Sequence, residues 1–226
     1  WPGRLSRLGF PAGRVIAPAM DEAQHPCLAA LRLGVHPVPA AADWAPAGSA
    51  GPDPRPVLVT GQGPAAPGRI LLHAAREEHP QGECWPAERW SQVVAGLRIG
   101  GAAGLVCCGP EAEPVAAAVQ ASGLDDLPVI AEPEPAVAAA QAQGFTGFCG
   151  PNTWLAHVAA AVGCRTLVLC GRSDPRVRRP WGAEVVTPLP VAQVPDGQPA
   201  WADRCSLMGI APIMVLAAWR RLAAAG

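Results

Sequence analysis

The chain is 226 residues long, with 50% hydrophobic and 15% charged residues and a formal net charge of −1. That length suits one domain with a buried core, or one domain plus the remnant of another. The balanced charge excludes nucleic-acid binding driven by phosphate neutralisation. Because no lysine is present, all 17 basic residues are Arg, and neither a Schiff base nor a lysine phosphate clamp is available.

Residues 1–46 are mixed. Ala23–Leu33 has helical character between prolines, and His25 and His36 sit among prolines as loop residues. Residues 47–69 form a Pro/Gly-rich linker, interrupted by the short apolar piece Val57–Thr60, and the domain boundary is expected there. From residue 70 the pattern becomes regular. Ile70–His73 predicts a strand. Pro86–Leu97 predicts a helix, with Trp90, Val93, Val94 and Leu97 on one stripe. Gly104–Cys108, Pro128–Ala131, Phe145–Cys149, Thr166–Cys170 and Val185–Thr187 predict further strands. Glu111–Ala121, Pro135–Gln143, Asn152–Val162 and Pro212–Ala225 predict further helices, the last with Val215, Trp219 and Leu222 on one face.

Apolar strands alternating with helices predict an α/β fold, a Rossmann-like parallel sheet flanked by helices on both faces. Ligands of such sheets bind at the carboxyl ends of the strands. The loops to inspect are therefore 74–85, 109–111, 131–135, 149–153 and 171–183. Eight cysteines are present, but Cys107 and Cys108 adjoin in an apolar run and no CxxC pair of zinc type occurs. Reduced, buried thiols and no metal site are expected. The nearest approach to a membrane span, Trp154–Cys170, is broken by Gly163 and Arg165, so no span of roughly 18 apolar residues is expected.

The most informative segment runs from Phe148 to Gly163. Gly150 and Pro151 end a strand, and Asn152 or Thr153 is placed to cap the next helix. Leu155, Val158, Ala159 and Val162 form the apolar stripe. At about 100° per residue, Thr153 and His157 lie roughly 160–200° from Leu155, one turn apart. Free amides, a hydroxyl and an imidazole at a helix N-terminus suit a diphosphate. A capped surface helix with a solvated histidine is the alternative.

These residues also carry a resemblance. Gly150, Thr153, His157 and Ala159-Ala160-Ala161 fit the pattern G-N-D-S/T-G-x-x-H-L-A-A-A of glycosyltransferase family 9, the heptosyltransferases. Cys170-Gly171-Arg172-Ser173-Asp174-Pro175 is similar to its F-G-P-T-D-P, and Pro180-Trp181-Gly182 to its P-W/Y-G. Upstream, Leu72-His73-Ala74 and Trp85-Pro86-Ala87-Glu88-Arg89-Trp90 resemble its H-P-G strand end and K-x-W-P-x-x-x-F/W helix start. Gly109-Pro110-Glu111 resembles its G-G-P-x-E turn, and Cys205 with Ile210-Ala211-Pro212 its C-terminal pattern. The resemblance covers roughly residues 70–226.

It implies the C-terminal, donor-binding domain of a two-domain GT-B-type glycosyltransferase. Residues 1–46 would be the remnant of an N-terminal acceptor domain. A chain opening on Trp1, with so few residues before the linker, is expected to be a fragment. The donor would be an ADP-heptose-like nucleotide sugar, bound as substrate with no cofactor. The acceptor would be lipopolysaccharide or a related glycolipid, and transfer would invert the anomeric centre. The implied location is cytoplasmic, with peripheral contact at the inner face of the inner membrane left open. The implied donor-binding residues are Gly150, Asn152, Thr153 and His157, with the 131–135 turn flanking the nucleoside and Ser173 and Asp174 shaping the loop beyond the strand. His73, ending a strand at the cleft edge, is read as a donor-site or a structural residue. No catalytic residue is assigned, since Asp21 and Asp43 read as surface carboxylates.

Three positions depart from the pattern. Glu83 replaces a lysine and would repel a diphosphate, with Arg76 proposed as the substitute cation. Asn152 replaces an aspartate, and Trp154 a glycine. These departures keep open a non-enzymatic nucleotide-sugar-binding or scaffolding relative, and more weakly another two-domain Rossmann-like enzyme such as a sugar-nucleotide epimerase. Arg172, Arg176, Arg178 and Arg179 read either as phosphate contacts or as a solvated loop. Trp181 and Trp201 read as loop anchors, His79 as a loop residue, and Cys149 beside His157 as a remote nucleophile candidate.

Overall fold

The computed structural model describes residues 69–102, 104–131, 144–190 and 198–224. All lie in the second of two units, Val57–Gly226. The linker up to residue 68 with its piece Val57–Thr60, residues 1–46 and the expected helix over Pro135–Gln143 fall outside the described residues, whereas Arg69 already belongs to the first strand.

The elements in chain order are β1 (Arg69–His73), α1 (Ala87–Ile99), β2 (Gly104–Cys108), α2 (Ala112–Ala121), β3 (Val129–Ile130), β4 (Gly147–Pro151), α3 (Trp154–Ala161), β5 (Arg165–Leu169), α4 (Pro175–Arg178), β6 (Glu184–Val186), α5 (Gln198–Arg204), a 3-10 turn (Leu207–Gly209) and α6 (Pro212–Ala224). The six strands form one sheet in the order β3-β2-β1-β4-β5-β6, and every pairing is parallel. The sheet grows in one direction from β1 to β3, then restarts beside β1 with β4. The chain therefore reverses its winding between β1 and β4, which is where Rossmann-like sheets open a crevice.

Strand residues alternate between two apolar clusters, as a period of two requires. Ile70, Leu72, Leu105, Cys107, Cys149, Leu167 and Leu169 face Trp90, Val93 and Leu97 of α1, Val115 and Val119 of α2, and Val215 and Ala218 of α6. Leu71, Val106, Cys108, Phe148, Val168 and Cys170 face Leu155, Ala156 and Ala159 of α3. Both faces are covered, so the strands are apolar throughout. The expected stripe of α1 is fully buried. That helix stops where Gly101 takes φ 85, a backbone conformation that Gly adopts without strain.

Two expectations need correcting. The fourth strand runs two residues later than expected, because parallel pairing with β5 continues through Gly150↔Val168 and Pro151↔Leu169. On α3, Ala156 and Ala161 join Leu155 and Ala159 in the buried set, while Val158 and Val162 of the expected stripe pack partly buried against the same cluster. The described cysteines are all free thiols, and six of the seven are buried. No described helix is long and apolar enough to cross a membrane.

Candidate functional site

The carboxyl ends of β1 and β4 bring His73 and Thr153 together. His73 is the last residue of β1, and Thr153 is the N-cap position of α3, just beyond β4. The His73 Nδ1 and Thr153 Oγ1 atoms lie 3.0 Å apart, with the residues only 1% and 3% exposed. Two glycines make room for His73. A Cβ at Gly150 of β4 would lie 2.9 Å from His73 Cβ. One at Gly109, where φ is 106, would lie 2.9 Å from His73 Cδ2. Both glycines were read from the sequence as turn or ligand residues, and in the fold both accommodate His73.

The expected cap of α3 is not made by Thr153 or Asn152. Thr153 makes no side-chain cap bond because its hydroxyl is engaged by His73. Asn152 Nδ2 donates to the Arg178 carbonyl at 3.2 Å instead. The cap comes from the β1–α1 loop. The Trp154 amide donates to Glu78 Oε1 at 3.1 Å, and the Glu78 amide donates to the Asn152 carbonyl at 3.0 Å. His157 lies one turn further along α3 and is half-buried. The Trp154 indole packs against the apolar cluster beneath α3.

Glu77, the preceding residue, has the opposite environment. Its carboxylate is 2% exposed and accepts three consecutive amides beyond β5: Gly171 at 3.0 Å, Arg172 at 2.8 Å and Ser173 at 2.9 Å. A concave run of amides of this kind binds anions, and here a side chain of the protein is the anion. Gly171 is required by the close approach, since a Cβ there would lie 2.5 Å from the Leu207 nitrogen and 2.9 Å from Glu77 Oε2.

Glu83 is consumed in the same manner. It accepts from the Ser206 hydroxyl and from the Leu207 amide at 3.0 Å, and pairs with Arg172 Nη2 at 3.5 Å. The expectation that Glu83 would repel a diphosphate is thus offset by its own neighbours. The β1–α1 loop delivers three carboxylates, Glu77, Glu78 and Glu83, to three separate segments of the carboxyl edge. An Arg76–Cys84 bridge and the Glu77 amide bonded to the Glu83 carbonyl at 3.1 Å hold the loop in shape. Arg76 is exposed at the base of this loop and donates to the Gly82 carbonyl.

Beyond β5, Ser173 and Asp174 are buried. Asp174 caps α4 by accepting from the Arg176 amide at 2.9 Å, and also holds the Arg176 guanidinium at 2.6 Å. That guanidinium lies 5.7 Å from the Trp201 ring centroid. Trp201, fully buried, donates to the Gly171 carbonyl at 2.8 Å and so does anchor this loop. Arg172 donates to the Ala202 carbonyl at 2.7 Å. Within the arginine cluster, Arg172 and Arg176 are therefore held by the protein itself; Arg178 and Arg179 lie at the surface.

Cys149 is not a nucleophile in this setting. Its thiol is enclosed within the sheet, and burial pushes its pKa up to about 12, which keeps the unreactive protonated form at neutral pH. Burial likewise raises Cys107 to about 12 and Cys164 to about 11.

Residues 62–192 match the model of glycosyltransferase family 9 (heptosyltransferase), more than half of the chain. The chain is a member of glycosyltransferase family 9. Solved structures agree at the level of fold. A family 9 glycosyl transferase from Veillonella parvula matches with a TM-score of 0.53 at 19% identity, over 70% of this chain and 46% of its own. The E. coli ADP-heptose lps heptosyltransferase II matches with a TM-score of 0.51 at 20% identity, over 70% of this chain and 47% of its own. The E. coli heptosyltransferase WaaC, solved with ADP, matches at 0.50 and 18% identity, over 68% and 44%. No curated protein matches the chain. This family 9 chain thus overlaps less than half the length of the solved structures it resembles.

The three carboxylate attachments of the family 9 chain were missed in the sequence. Glu77 and Glu78 reach partners 76 to 96 residues away, and no local pattern marks them. The Asp174-Pro175 pair is a recognisable helix start and was a usable signal for α4.

Proposed function

We propose that this chain is the donor-binding portion of a heptosyltransferase-type glycosyltransferase. It would hold an ADP-heptose-like nucleotide sugar at the carboxyl ends of β1 and β4. The sugar would pass, with inversion, to a hydroxyl of a lipopolysaccharide or related glycolipid acceptor. The nucleotide sugar is a substrate in this reading, and no cofactor or metal is invoked. The site of action would be the cytoplasm.

The observation that carries the reading is the His73–Thr153 pair at the point where the sheet reverses its winding. Family membership supplies the reaction class, and a WaaC structure solved with ADP supports the nucleotide. In such a site the work of the protein is electrostatic. Departure of the sugar leaves charge on the diphosphate, and donors already in place stabilise it without reorganising. If His73 Nδ1 carries the proton toward Thr153 Oγ1, the Thr153 hydroxyl keeps its own proton for a phosphate oxygen. His157, one turn along α3, would add a second donor. A base for the acceptor hydroxyl belongs to no described residue in this reading.

The test is calorimetric titration of the 226-residue chain with ADP. Saturable binding is expected, weakened roughly tenfold or more in Thr153→Val and in His157→Ala, as loss of a hydrogen bond to a charged group predicts. Absence of ADP binding by folded protein would sink the reading.

The departures from the family pattern at Glu83, Asn152 and Trp154 favour a second reading, a non-catalytic nucleotide-sugar-binding relative. Transfer of sugar from any nucleotide sugar by an intact protein, lost in His157→Ala, would eliminate it.

A further inference from the structure

We propose that Glu78 is an internal competitor for the donor diphosphate, bonded to the amide that a phosphate takes when the donor binds. The inference rests on the donor-site reading above and adds a regulation of that site.

Three observations carry it. First, the leading amide of α3 is already bonded to an anion, because Trp154 N donates to Glu78 Oε1 at 3.1 Å. Second, this carboxylate is exchangeable and its neighbour is not. The Glu78 carboxylate is exposed and makes this one bond among the described residues, whereas the Glu77 carboxylate is buried beneath three amides. An exposed carboxylate returns to water at little cost when displaced. Third, Asn152 sits immediately before the same turn. It is 4% exposed, and its Oδ1 has no hydrogen-bond partner among the described residues. A buried acceptor without a donor is unfavourable. A hydroxyl of the donor sugar is the type of group it lacks. The turn thus pairs one amide held by a replaceable anion with one buried acceptor that no described residue satisfies.

Displacement does not carry Glu78 far. Its backbone amide is bonded to the Asn152 carbonyl, and the adjacent Glu77 is fixed. The released carboxylate therefore stays near the incoming phosphate, and like charges at such range oppose binding. Glu78 weakens nucleotide diphosphates selectively and leaves the nucleoside contribution alone.

The experiment compares ADP and adenosine binding to wild-type protein, Glu78→Gln and Glu78→Ala by calorimetry. Glutamine keeps an oxygen for the Trp154 amide and removes only the charge, so the fold is preserved. The expected result is ADP affinity raised roughly tenfold in both variants, with adenosine affinity unchanged. Equal ADP affinity in all three proteins would overturn the proposal and leave the donor-site reading standing. An equal gain for ADP and adenosine would also overturn it, because the effect would not lie at the phosphates. If folded protein of all three forms fails to bind ADP, the donor-site reading falls, and this inference falls with it.

Discussion

Glu77 and Glu78 are adjacent, carry the same charge and bond to the same kind of group, a backbone amide beyond a strand end. Their surroundings separate them. Glu77 is enclosed and accepts three amides of the β5–α4 loop, while Glu78 is solvent-facing and accepts one amide of α3. A buried anion with full hydrogen bonding becomes a fixed part of the structure, because removing it leaves buried donors unsatisfied. An exposed one is a loose fitting, worth little and easily exchanged. Burial, not sequence chemistry, decides which glutamate is architecture and which is free for function.

The largest test of that contrast is Glu77→Ala. Three amides lose their acceptor together, and a loss of about 3 kcal/mol in urea-unfolding stability is expected. Glutamine at the same position should recover part of it, since one acceptor oxygen remains. Gly171→Ala is expected to cost less, about 2 kcal/mol, because the new methyl must push against the Leu207 backbone as well as the carboxylate. At the small end, Glu78→Gln should leave stability within about 0.5 kcal/mol of the wild type. In the same protein the Trp154 amide should exchange with deuterium faster than the Gly171 and Arg172 amides. A Glu78→Gln cost equal to that of Glu77→Ala would erase the distinction between the two glutamates.

The sheet was legible in the sequence because each strand is a short, nearly unbroken apolar run, and the helix α1 because Trp90, Val93, Val94 and Leu97 repeat at helical spacing. The fourth strand was misplaced by two residues because Gly150-Pro151 carries a strong local turn signal, which the pairing with β5 overrides. The short helix α4 and the helix α5 lack enough residues to show a period. His73 and Thr153 were each singled out, but their pairing was not, since 80 residues separate them. Thr153 looked like a cap because caps are local patterns. In the fold a distant imidazole holds its hydroxyl, and Glu78 takes over the helix end. Glu83 looked repulsive because its partners Ser206 and Leu207 arrive only when the chain returns to the sheet edge. Interactions closed over long loops leave little trace in local spacing.

The sheet also tapers. Its four central strands have five residues each, whereas the flanking β3 and β6 have two and three. A neighbouring polypeptide that tried to extend the ribbon sideways would find a template too short to hold it. Among the described residues, the strongly apolar, all-parallel interior thus ends on margins that offer little hold for strand-by-strand self-association.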